Sequence, residues 1–345
     1  MIMSETTKCP MYEAKDYKSD QYVRWCPGCG DHAVVVTLQK AMAEIGIPPH
    51  QTAVISGIGC SSRLPYYMNT YGFHTIHGRG AAIATGVKTA NPELSVWLAS
   101  GDGDSLAIGG NHFIHAVRRN IDINAVLFNN RIYGLTKGQY SPTSARGFVS
   151  KSSPYGTVED PFIPAELVLG ARGNFFARAI DVDMKTLQEC FVASARHRGF
   201  AVTEVLVNCV IFNDGTHKNR SHKDIRADRT ITLRHGEKMI FGANRDKGIV
   251  LEGLKLRAVT IDEDGYTLDD VLVHDKYEQD VTLHHLLAMM GYTDDSMPIA
   301  LGVIRDVEAP CYDRAVEAQI EEIQQKNPIR KLHDLLIQGD VWEIK

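Results

Sequence analysis

The chain has 345 residues, 44% of them hydrophobic, so it can form one large domain or two small ones around a sizeable core. Its formal net charge of −5 and its isoelectric point near 6.3 give no polycationic surface, so nucleic acid is not an expected partner. Residues 1–20 lack an apolar signal core, and no apolar run reaches roughly 18 residues, the length that spans a bilayer. We therefore expect a cytoplasmic protein whose seven cysteines are thiols or metal ligands rather than disulfides.

Two cysteines follow a polar arm that we assign to residues 1–20. The stretch Trp25-Cys26-Pro27-Gly28-Cys29-Gly30-Asp31-His32 precedes an apolar pattern with helical spacing over residues 33–45. A Cys-x-x-Cys pair at the start of a helix is typical of a redox dithiol, or of half of a metal or cluster site. The pair alone does not decide between these interpretations.

Two further cysteines stand at the ends of predicted strands. Residues 52–59 predict a buried strand before Cys60, and residues 201–208 predict another before Cys209. Because the carboxyl ends of parallel strands share one edge of an open sheet, we expect both thiols at that edge, within reach of residues 26–29. Four thiols at one edge favour a [4Fe–4S] cluster. Zinc is the alternative, since Cys-x-x-Cys is also half of many zinc sites.

The centre of the sequence predicts a strand–helix–strand unit. A strand over residues 94–100 leads into Gly101-Asp102-Gly103-Asp104, and a helix is expected from near Ser105. A second strand over residues 123–128 leads into Asn129-Asn130. A crossover of this length places two parallel strands side by side, so polar groups at their ends should meet.

The polar groups of this unit indicate a site for Mg²⁺ and a diphosphate. The carboxylate of Asp102, the amide oxygen of Asn130 and a nearby carbonyl suit Mg²⁺ if phosphate oxygens supply the remaining ligands. Gly101 and Gly103 let the backbone approach a phosphate, and a helix N-terminus favours its charge. The alternative is two ordinary turns in which Asp and Asn act as helix caps.

The remaining elements carry less chemistry. His77-Gly78-Arg79-Gly80 precedes a helix rich in alanine and glycine that extends to Ala90, and another helix is predicted over residues 184–196. The charge-dense stretch 216–229 is read as a solvated connector, or as a docking surface for an acidic electron carrier or companion chain. Beyond it we predict a hairpin of residues 254–260 and 267–273, and helices over residues 281–290, 312–325 and 330–337.

The motifs together resemble the β subunit of the 2-oxoacid:ferredoxin oxidoreductases. The sequence Gly101-Asp102-Gly103 is followed, after 25 residues (104–128), by Asn129-Asn130. This spacing resembles the thiamine diphosphate motif of the superfamily of enzymes that depend on this cofactor. The rest of the resemblance lies in Trp-Cys-Pro-Gly-Cys-Gly-Asp-His, Gly-Ile-Gly-Cys-Ser-Ser, His-Gly-Arg-Gly and the stretch from Asn129 to Thr143. It implies an α/β, doubly wound, mainly parallel sheet of the thiamine-diphosphate-binding type over residues 21–215. Residues 216–345 form a C-terminal α+β extension.

The resemblance also implies a set of site residues. The cluster ligands match Cys26, Cys29, Cys60 and Cys209, and the magnesium ligands match Asp102, Asn130 and the carbonyl of Ile132. Thiamine diphosphate would contact Ile58, Gly59, Ser61, His77, Gly103, Asp104, Gly134, Leu135 and Thr136. The predicted substrate pocket holds Arg63, His77, Leu135 and Lys137. Cys9, Cys190 and Cys311 have no assigned role.

The implied reaction converts a 2-oxo acid, coenzyme A and oxidised ferredoxin into acyl-CoA, carbon dioxide and reduced ferredoxin. An α subunit would supply the glutamate that activates the cofactor, because we find no second domain of that kind in the chain. The surroundings of Arg63 and Leu135 favour 2-oxoglutarate, with pyruvate or a broad range of 2-oxo acids as the alternative. Two other classes remain: a non-oxidative thiamine diphosphate lyase, and a zinc-stapled interaction subunit without thiamine diphosphate.

Overall fold

The computed structural model describes residues 12–263, 265–326 and 331–344. The strands are β1 (Thr52–Ser56), β2 (Tyr71–His74), β3 (Ser95–Gly101), β4 (Ile123–Asn129), β5 (Phe175–Ile180), β6 (Phe200–Leu206), β7 (Thr230–Leu233), β8 (Ile240–Phe241), β9 (Lys247–Glu252), β10 (Lys255–Thr260) and β11 (Ile299–Asp306). The described strands form an eight-stranded sheet in the order β2-β1-β3-β4-β6-β5-β11-β7 and a three-stranded sheet in the order β10-β9-β8. In the larger sheet β1 to β6 are parallel to their neighbours, while β11 is antiparallel to β5.

Helices cover both faces of the larger sheet. They are α1 (Asp31–Ile45), α2 (Leu64–Tyr67), α3 (Gly80–Ala90), α4 (Gly110–Arg119), α5 (Pro164–Gly170), α6 (Met184–Arg196), α7 (Lys218–Ser221), α8 (Lys223–Arg229), α9 (Thr282–Met289), α10 (Tyr312–Lys326) and α11 (Leu332–Leu336). Helices α1 and α6 pack on the face that carries Val54 and Trp97. Helices α3, α4, α5 and α9 pack on the face that carries Ile55 and Leu98. The predicted doubly wound, mainly parallel α/β fold is confirmed.

The strand sequences explain this two-sided burial. Every residue of β4, β5 and β6 is buried, and the apolar side chains of neighbouring residues such as Val54 and Ile55 join cores on opposite faces. A strand that packs on both faces needs a continuous apolar run rather than an alternating one. The helix predicted over residues 184–196 has those bounds, and the strand predicted over residues 52–59 ends earlier, at Ser56.

The helix expected from near Ser105 differs from the prediction. Residues Asp104–Ile108 form a short π-helical turn, and the regular helix α4 begins only at Gly110. The reason is the tight packing between two loops, because a Cβ atom on Gly109 would lie 2.2 Å from the carbonyl oxygen of Asp104 and 3.1 Å from Gly78. The first turn after β3 therefore follows the shape of the site rather than regular helix geometry.

The hairpin predicted from residues 254–260 and 267–273 is wrong in its second strand. β10 pairs instead with the preceding β9, through a turn in which Gly253 has φ +61°. Residues 267–273 contain a short 3₁₀ turn, Leu268–Asp270, held by a hydrogen bond from the Thr267 amide to the Asp270 carboxylate. That local side-chain bond competes with strand pairing. Asp264, which belonged to the predicted turn, lies outside the described residues.

Residues assigned to the C-terminal extension contribute to the main sheet. β11 pairs with β5 and β7 pairs with β11, so the larger sheet continues past the expected boundary at residue 215. The charge-dense stretch 216–229 is more than a solvated connector. It forms α7 and α8, and its His217 and Arg220 side chains are buried.

The described part of the predicted N-terminal arm packs on the domain through Tyr17. This side chain is fully buried, and its hydroxyl donates to the carbonyl of Ile47 at 2.7 Å. Cys9 lies outside the described residues, as does the start of the helix predicted over residues 330–337. No helix in the described ranges has the length and apolarity needed to cross a membrane.

A buried ion pair joins the two central strands β5 and β6. Arg178 and Glu204 are register partners, both are fully buried, and Arg178 Nε lies 2.6 Å from Glu204 Oε2. Arg178 also donates to the carbonyl of Ala288 at 3.2 Å. A charge placed this deep depends on its partner, because neither group can be hydrated.

We predict that Arg178→Leu destabilises the protein by about 3–5 kcal/mol, because it removes the guanidinium that pairs with the buried Glu204 carboxylate at 2.6 Å. The measurement is the free energy of unfolding in urea. Arg146→Leu is the matched control, since Arg146 Nε forms a similar 2.7 Å pair with Asp160 on the exposed surface and its removal should change stability little. Equal effects of the two substitutions would contradict the prediction.

Candidate functional site

The carboxyl ends of β1, β3, β4 and β6 lie at one edge of the sheet, because these strands are parallel neighbours. A cavity of about 300 Å³, here called the rim cavity, opens at this edge. Its wall is drawn mainly from the loops that follow β1, β3 and β4. The predicted cofactor and magnesium residues in the wall are Ile58, Gly59, Ser61, His77, Asp102, Gly103, Asp104, Asn130, Ile132, Gly134, Leu135 and Thr136.

The two predicted magnesium side chains stand at neighbouring strand ends. Asp102 directly follows β3 and Asn130 directly follows β4, and both line the rim cavity. Asp102 is only 2% exposed, and its Oδ2 accepts hydrogen bonds from the hydroxyls of Ser141 and Thr143, each at 2.5 Å. The Ile132 amide donates to Asn130 Oδ1 at 3.1 Å, which orients that side chain.

The electrostatics of this wall favour a bound cation. Burial raises the pKa of Asp102 to about 6, although the two hydroxyl donors act in the opposite direction. A cation beside the carboxylate stabilises its ionised form and offsets that cost. A carboxylate, an amide oxygen and a backbone carbonyl in one cavity form a donor set that suits Mg²⁺ completed by phosphate oxygens.

Asp104 ties together three of the loops that build the cavity. It is 3% exposed, and its Oδ1 accepts from the amides of Ile58 at 3.1 Å and Gly78 at 2.7 Å. Its Oδ2 accepts from the Ser100 hydroxyl at 2.5 Å, and His77 Nδ1 lies 2.8 Å from Oδ1. Asp104 was predicted to contact the cofactor, and the structure places it where its carboxylate is used to hold the loops after β1, β2 and β3 in position.

The four predicted cluster cysteines converge beside the rim cavity. The Cβ position of Gly134 lies 3.4 Å from Cys60 Sγ and 3.6 Å from Cys209 Sγ, so both sulfurs lie under the same glycine. The Trp25 indole donates to the carbonyl of Cys60 at 2.8 Å, and the Gly30 amide donates to the carbonyl of Asn208 at 3.2 Å. These bonds hold the Cys26–Cys29 loop against both strand ends.

The thiols influence one another electrostatically. Burial and the charges of Asp31, Cys209 and Cys26 raise the pKa of Cys60 to about 12, and burial and the same kind of neighbours raise the pKa of Cys29. Thiolates packed together in this way need positive charge from bound metal. Among the described residues, no three His, Cys, Asp or Glu side chains form a group that could hold a single metal ion.

Asp31 is a wall residue to which sequence reasoning gave no role. It is the first residue of α1, is 1% exposed and lines the rim cavity. Among the described residues its carboxylate oxygens have no hydrogen-bond partner apart from the neighbouring Cys29 thiol. Burial and the charge of Asp181 raise the pKa of Asp31 to about 7. Asp31 therefore presents a free hydrogen-bonding carboxyl group between the thiols and the cavity.

Two of the predicted substrate residues lie outside the cavity wall. Arg63 and Lys137 are exposed, and neither lines the rim cavity, whereas His77 and Leu135 do. Arg63 is near enough to Cys60 to lower the pKa of that thiol slightly. Lys137 has φ +75° in the loop after β4. Arg63 therefore lies on the thiol side of the site.

Several supporting residues were missed by sequence reasoning. Ser141 and Thr143 belong to the stretch from Asn129 to Thr143, but no role was assigned to them from the sequence. In the structure their hydroxyls donate to Asp102. Asn213 donates to the carbonyls of Asn130 and Arg131, both at 3.1 Å, from a loop more than 80 residues away. The first two could have been found from their motif, but nothing in the sequence pairs Asn213 with the loop after β4.

A larger cleft of about 1490 Å³ lies elsewhere, between α1, α6 and residues 306–310. None of its lining residues lines the rim cavity, and it contains none of the motif residues. Its charged groups are partly paired with one another, as in the contact of 2.9 Å between Lys276 Nζ and Asp306 Oδ2. The candidate chemistry therefore belongs to the smaller cavity.

We predict that Asp104→Asn weakens thiamine diphosphate binding about tenfold, because an amide replaces one acceptor oxygen with a donor facing buried donors. The dissociation constant is measured at saturating Mg²⁺ by quenching of protein fluorescence. Asp183→Asn is the matched control, because Asp183 also accepts from one amide and one hydroxyl, both of Thr186, but does so at the start of α6. Unchanged affinity in Asp104→Asn would refute the assigned role.

Comparison with known proteins agrees with this geometry. A family described as "Thiamine pyrophosphate enzyme, C-terminal TPP binding domain" matches residues 57–205. The chain is 46% identical over 343 residues to the 2-oxoglutarate oxidoreductase subunit KorB of Mycobacterium tuberculosis, which covers 98% of this chain and 90% of that protein. It is 48% identical over 198 residues to the β subunit of 2-oxoacid:ferredoxin oxidoreductase 1 of Aeropyrum pernix, covering 57% of this chain and 62% of that protein.

A solved structure is similar over nearly the whole chain. It is described as the 2-oxoglutarate:ferredoxin oxidoreductase from Magnetococcus marinus with 2-oxoglutarate, coenzyme A and succinyl-CoA bound. The identity is 32% and the TM-score 0.77, and the match covers 97% of this chain and 98% of that one. Together with the near-full-length relative and the thiamine diphosphate domain, this similarity shows that the chain belongs to the KorB-type β subunits of the 2-oxoacid:ferredoxin oxidoreductases.

Proposed function

We propose that the chain, with an α subunit, catalyses the oxidative decarboxylation of 2-oxoglutarate. The succinyl group is transferred to coenzyme A, which gives succinyl-CoA and carbon dioxide. Two electrons pass singly to two oxidised ferredoxins, and one proton is released. The observation that carries this proposal is the single sheet edge that brings the four cysteines beside Asp102 and Asn130. A redox centre and a decarboxylation cofactor must be close neighbours if electrons are to leave during the reaction.

The rim cavity is proposed to hold the magnesium–diphosphate end of thiamine diphosphate. Asp102, Asn130 and the carbonyl of Ile132 would be the protein ligands of Mg²⁺. Bound thiamine diphosphate supplies the electron sink that a 2-oxo acid needs to lose carbon dioxide. The hydroxyls of Ser141 and Thr143 keep Asp102 oriented toward the ion.

Cys26, Cys29, Cys60 and Cys209 are proposed to hold one [4Fe–4S] cluster. Four cysteines beside a site for oxidative decarboxylation favour a four-iron cluster over zinc, because the cluster can transfer electrons and zinc cannot. Cys60 and Gly134 both line the rim cavity, and the Cβ position of Gly134 lies 3.6 Å from Cys209 Sγ, which leaves a short path for electrons. Cys26 is exposed, so the cluster would lie near the surface at which ferredoxin arrives.

The open side of the cavity supports the need for an α subunit. Leu135 in the wall is 46% exposed, Ile76 beside His77 is 75% exposed, and Ile108, which packs against Gly78, is 54% exposed. Apolar side chains around the mouth of a cofactor cavity are typical of a surface that another chain covers. The glutamate that activates the cofactor would come from that chain.

The 2-oxoglutarate preference rests on the names of the relatives and on Arg63. A guanidinium beside the thiol edge could bind the second carboxylate of 2-oxoglutarate, which pyruvate lacks. A non-oxidative lyase is the alternative of a different class, and it has no use for four converging thiols. The two are separated by whether 2-oxoglutarate reduces a viologen dye in the presence of coenzyme A.

We predict that Cys60→Ser in the assembled complex removes the cluster while thiamine diphosphate still binds. Iron per complex should fall from about four to near zero, with loss of the broad visible absorption that dithionite bleaches. Cys311→Ser is the control, because Cys311 is a half-buried thiol that lies near Asp122 and Asp313, away from the cavity wall. A full iron content in Cys60→Ser would eliminate that ligand.

The proposed reaction is tested with Asp102→Ala. We expect 2-oxoglutarate-dependent viologen reduction to fall about a hundredfold or more, because Mg²⁺ loses its carboxylate, while the iron content stays at the wild-type value. Asp160→Ala, at an exposed carboxylate outside the site, should leave both measurements unchanged. Wild-type activity in Asp102→Ala, or a wild-type complex that releases carbon dioxide without reducing the dye, would rule out the proposed function.

A further inference from the structure

A cluster of three arginines lies behind the loop that carries the predicted magnesium ligands. The guanidinium carbons of Arg220, Arg178 and Arg131 lie 4.7, 4.9 and 5.8 Å from the centre of the Tyr292 ring. Arg178 and Arg220 are buried, and Arg131 and Tyr292 are half-buried. We call these four residues the Tyr292 cluster. Two of its members, Arg220 and Tyr292, come from the part of the chain expected to be a C-terminal extension.

The Tyr292 cluster carries more positive than negative charge. Its recorded carboxylate partner in the described part of the chain is Glu204, which is paired with Arg178. Arg220 donates to the carbonyl of Gly291, and the side chain of Arg131 has a buried Nε without a hydrogen-bond partner. Burial and repulsion from Arg131 and Arg178 lower the pKa of Arg220. Three guanidinium groups thus share one carboxylate, an arrangement that costs free energy unless another anion is near.

The cluster is linked to the predicted magnesium site by close polar contacts. Glu204 Oε1 accepts from the Asn129 side chain at 2.7 Å. Asn129 Oδ1 lies 3.0 Å from the Thr143 hydroxyl oxygen, whose single proton is donated to Asp102, so this step is a contact rather than a hydrogen bond. The His217 Nε2–H group donates to the Asn129 carbonyl at 2.9 Å. Burial and the charge of Arg131 lower the pKa of His217 to about 3, so His217 adds no charge to the region.

Arg131 connects the two regions directly. It stands between Asn130 and Ile132, both in the wall of the rim cavity, and its guanidinium lies on the other side of the loop, at the Tyr292 ring. Its φ of +55° turns the backbone so that its neighbours face the cavity while its own side chain does not. The excess positive charge is therefore held one loop thickness behind the proposed diphosphate.

We propose that the Tyr292 cluster is a positioning device for the magnesium–diphosphate loop, whose excess positive charge is balanced by the bound anionic diphosphate. Residues 216–345 would then set the affinity for the cofactor as well as extend the sheet. This inference rests on thiamine diphosphate binding in the rim cavity, as proposed above. The cluster contacts no reacting atom, so its effect should appear in cofactor affinity.

The test compares Arg131→Asn with Arg131→Lys in the full complex with the α subunit. Asn removes the charge yet tolerates positive φ, and Lys retains the charge. Arg172→Asn is the matched control, because Arg172 also has positive φ, at +64°, and is exposed outside the site. The readouts are the thiamine diphosphate dissociation constant at saturating Mg²⁺, its dependence on salt, and the melting temperature of the cofactor-free complex.

We expect Arg131→Asn to bind thiamine diphosphate about five- to twentyfold more weakly, as for one charge on the order of 10 Å from a phosphate at an intermediate effective dielectric. Arg131→Lys and Arg172→Asn should stay within about twofold of wild type on the same scale. The cofactor-free complex of Arg131→Asn should melt at the wild-type temperature or higher, because like-charge repulsion is reduced.

Two results would overturn this inference without touching the proposed function. One is wild-type affinity in Arg131→Asn. The other is equal weakening by Arg131→Lys together with a lower melting temperature of the cofactor-free complex, which would make the residue a structural support independent of charge. A wild-type complex that binds no thiamine diphosphate would overturn the proposed function and this inference together.

Discussion

The parallel alignment of β1, β3, β4 and β6 is the constraint on which the site depends. Each strand is followed at its carboxyl end by a residue with chemistry: Cys60 after β1, Asp102 after β3, Asn130 after β4 and Cys209 after β6. Because parallel strands deliver those ends to one edge, residues separated by 150 positions in the chain become neighbours without any long-range motif. If one strand of this group ran in the opposite direction, the residue at its carboxyl end would lie at the other edge of the sheet.

At that edge, acidic groups lie on the cavity side of the loop after β4 and basic groups lie behind it. On the cavity side, Asp31 and Asp102 have a raised pKa because burial disfavours their anions, and burial raises the pKa of Cys29 and Cys60 in the same way. Behind the loop after β4, the Tyr292 cluster holds more guanidinium groups than carboxylates. Metal ions would compensate the first group and a diphosphate the second. Without ligands, acidic groups are therefore concentrated on one side of this loop and guanidinium groups on the other. A bound magnesium–diphosphate would compensate the charge of both.

The sequence predicted the elements whose signal is local and missed those whose signal is not. The strand ends that carry Asp102, Asn130 and the cysteines could be recognised in the sequence. Each continuous apolar run, typical of a strand buried on both faces, ends near a polar residue or a cysteine. Helix 184–196 was predicted with its observed bounds, and its Asp183 cap, which accepts from the Thr186 amide, directly precedes it in the chain. By contrast, β11 is a long apolar run whose place beside β5 is set by tertiary packing, and the hairpin failed because Gly253 offered an earlier turn than Gly265. The cofactor contact of Asp104 stays a prediction, but the amides of Ile58 and Gly78 that donate to its carboxylate could not be recognised from the sequence.

The loop after β4 shows why the C-terminal part of the chain cannot be treated as an addition to a finished domain. Its backbone is held from one side by Ser144, which donates to the Arg131 carbonyl at 2.6 Å, and from the other by Asn213 and His217. Its arginine is then stacked on Tyr292, which packs in turn on the ends of β5, β6 and β11. If this loop presents one amide oxygen and one carbonyl to a metal ion, as proposed, its position must be fixed closely, because metal geometry tolerates little displacement. Residues beyond position 215, through His217 and Tyr292, supply part of that fixation, so the site and the extension support each other.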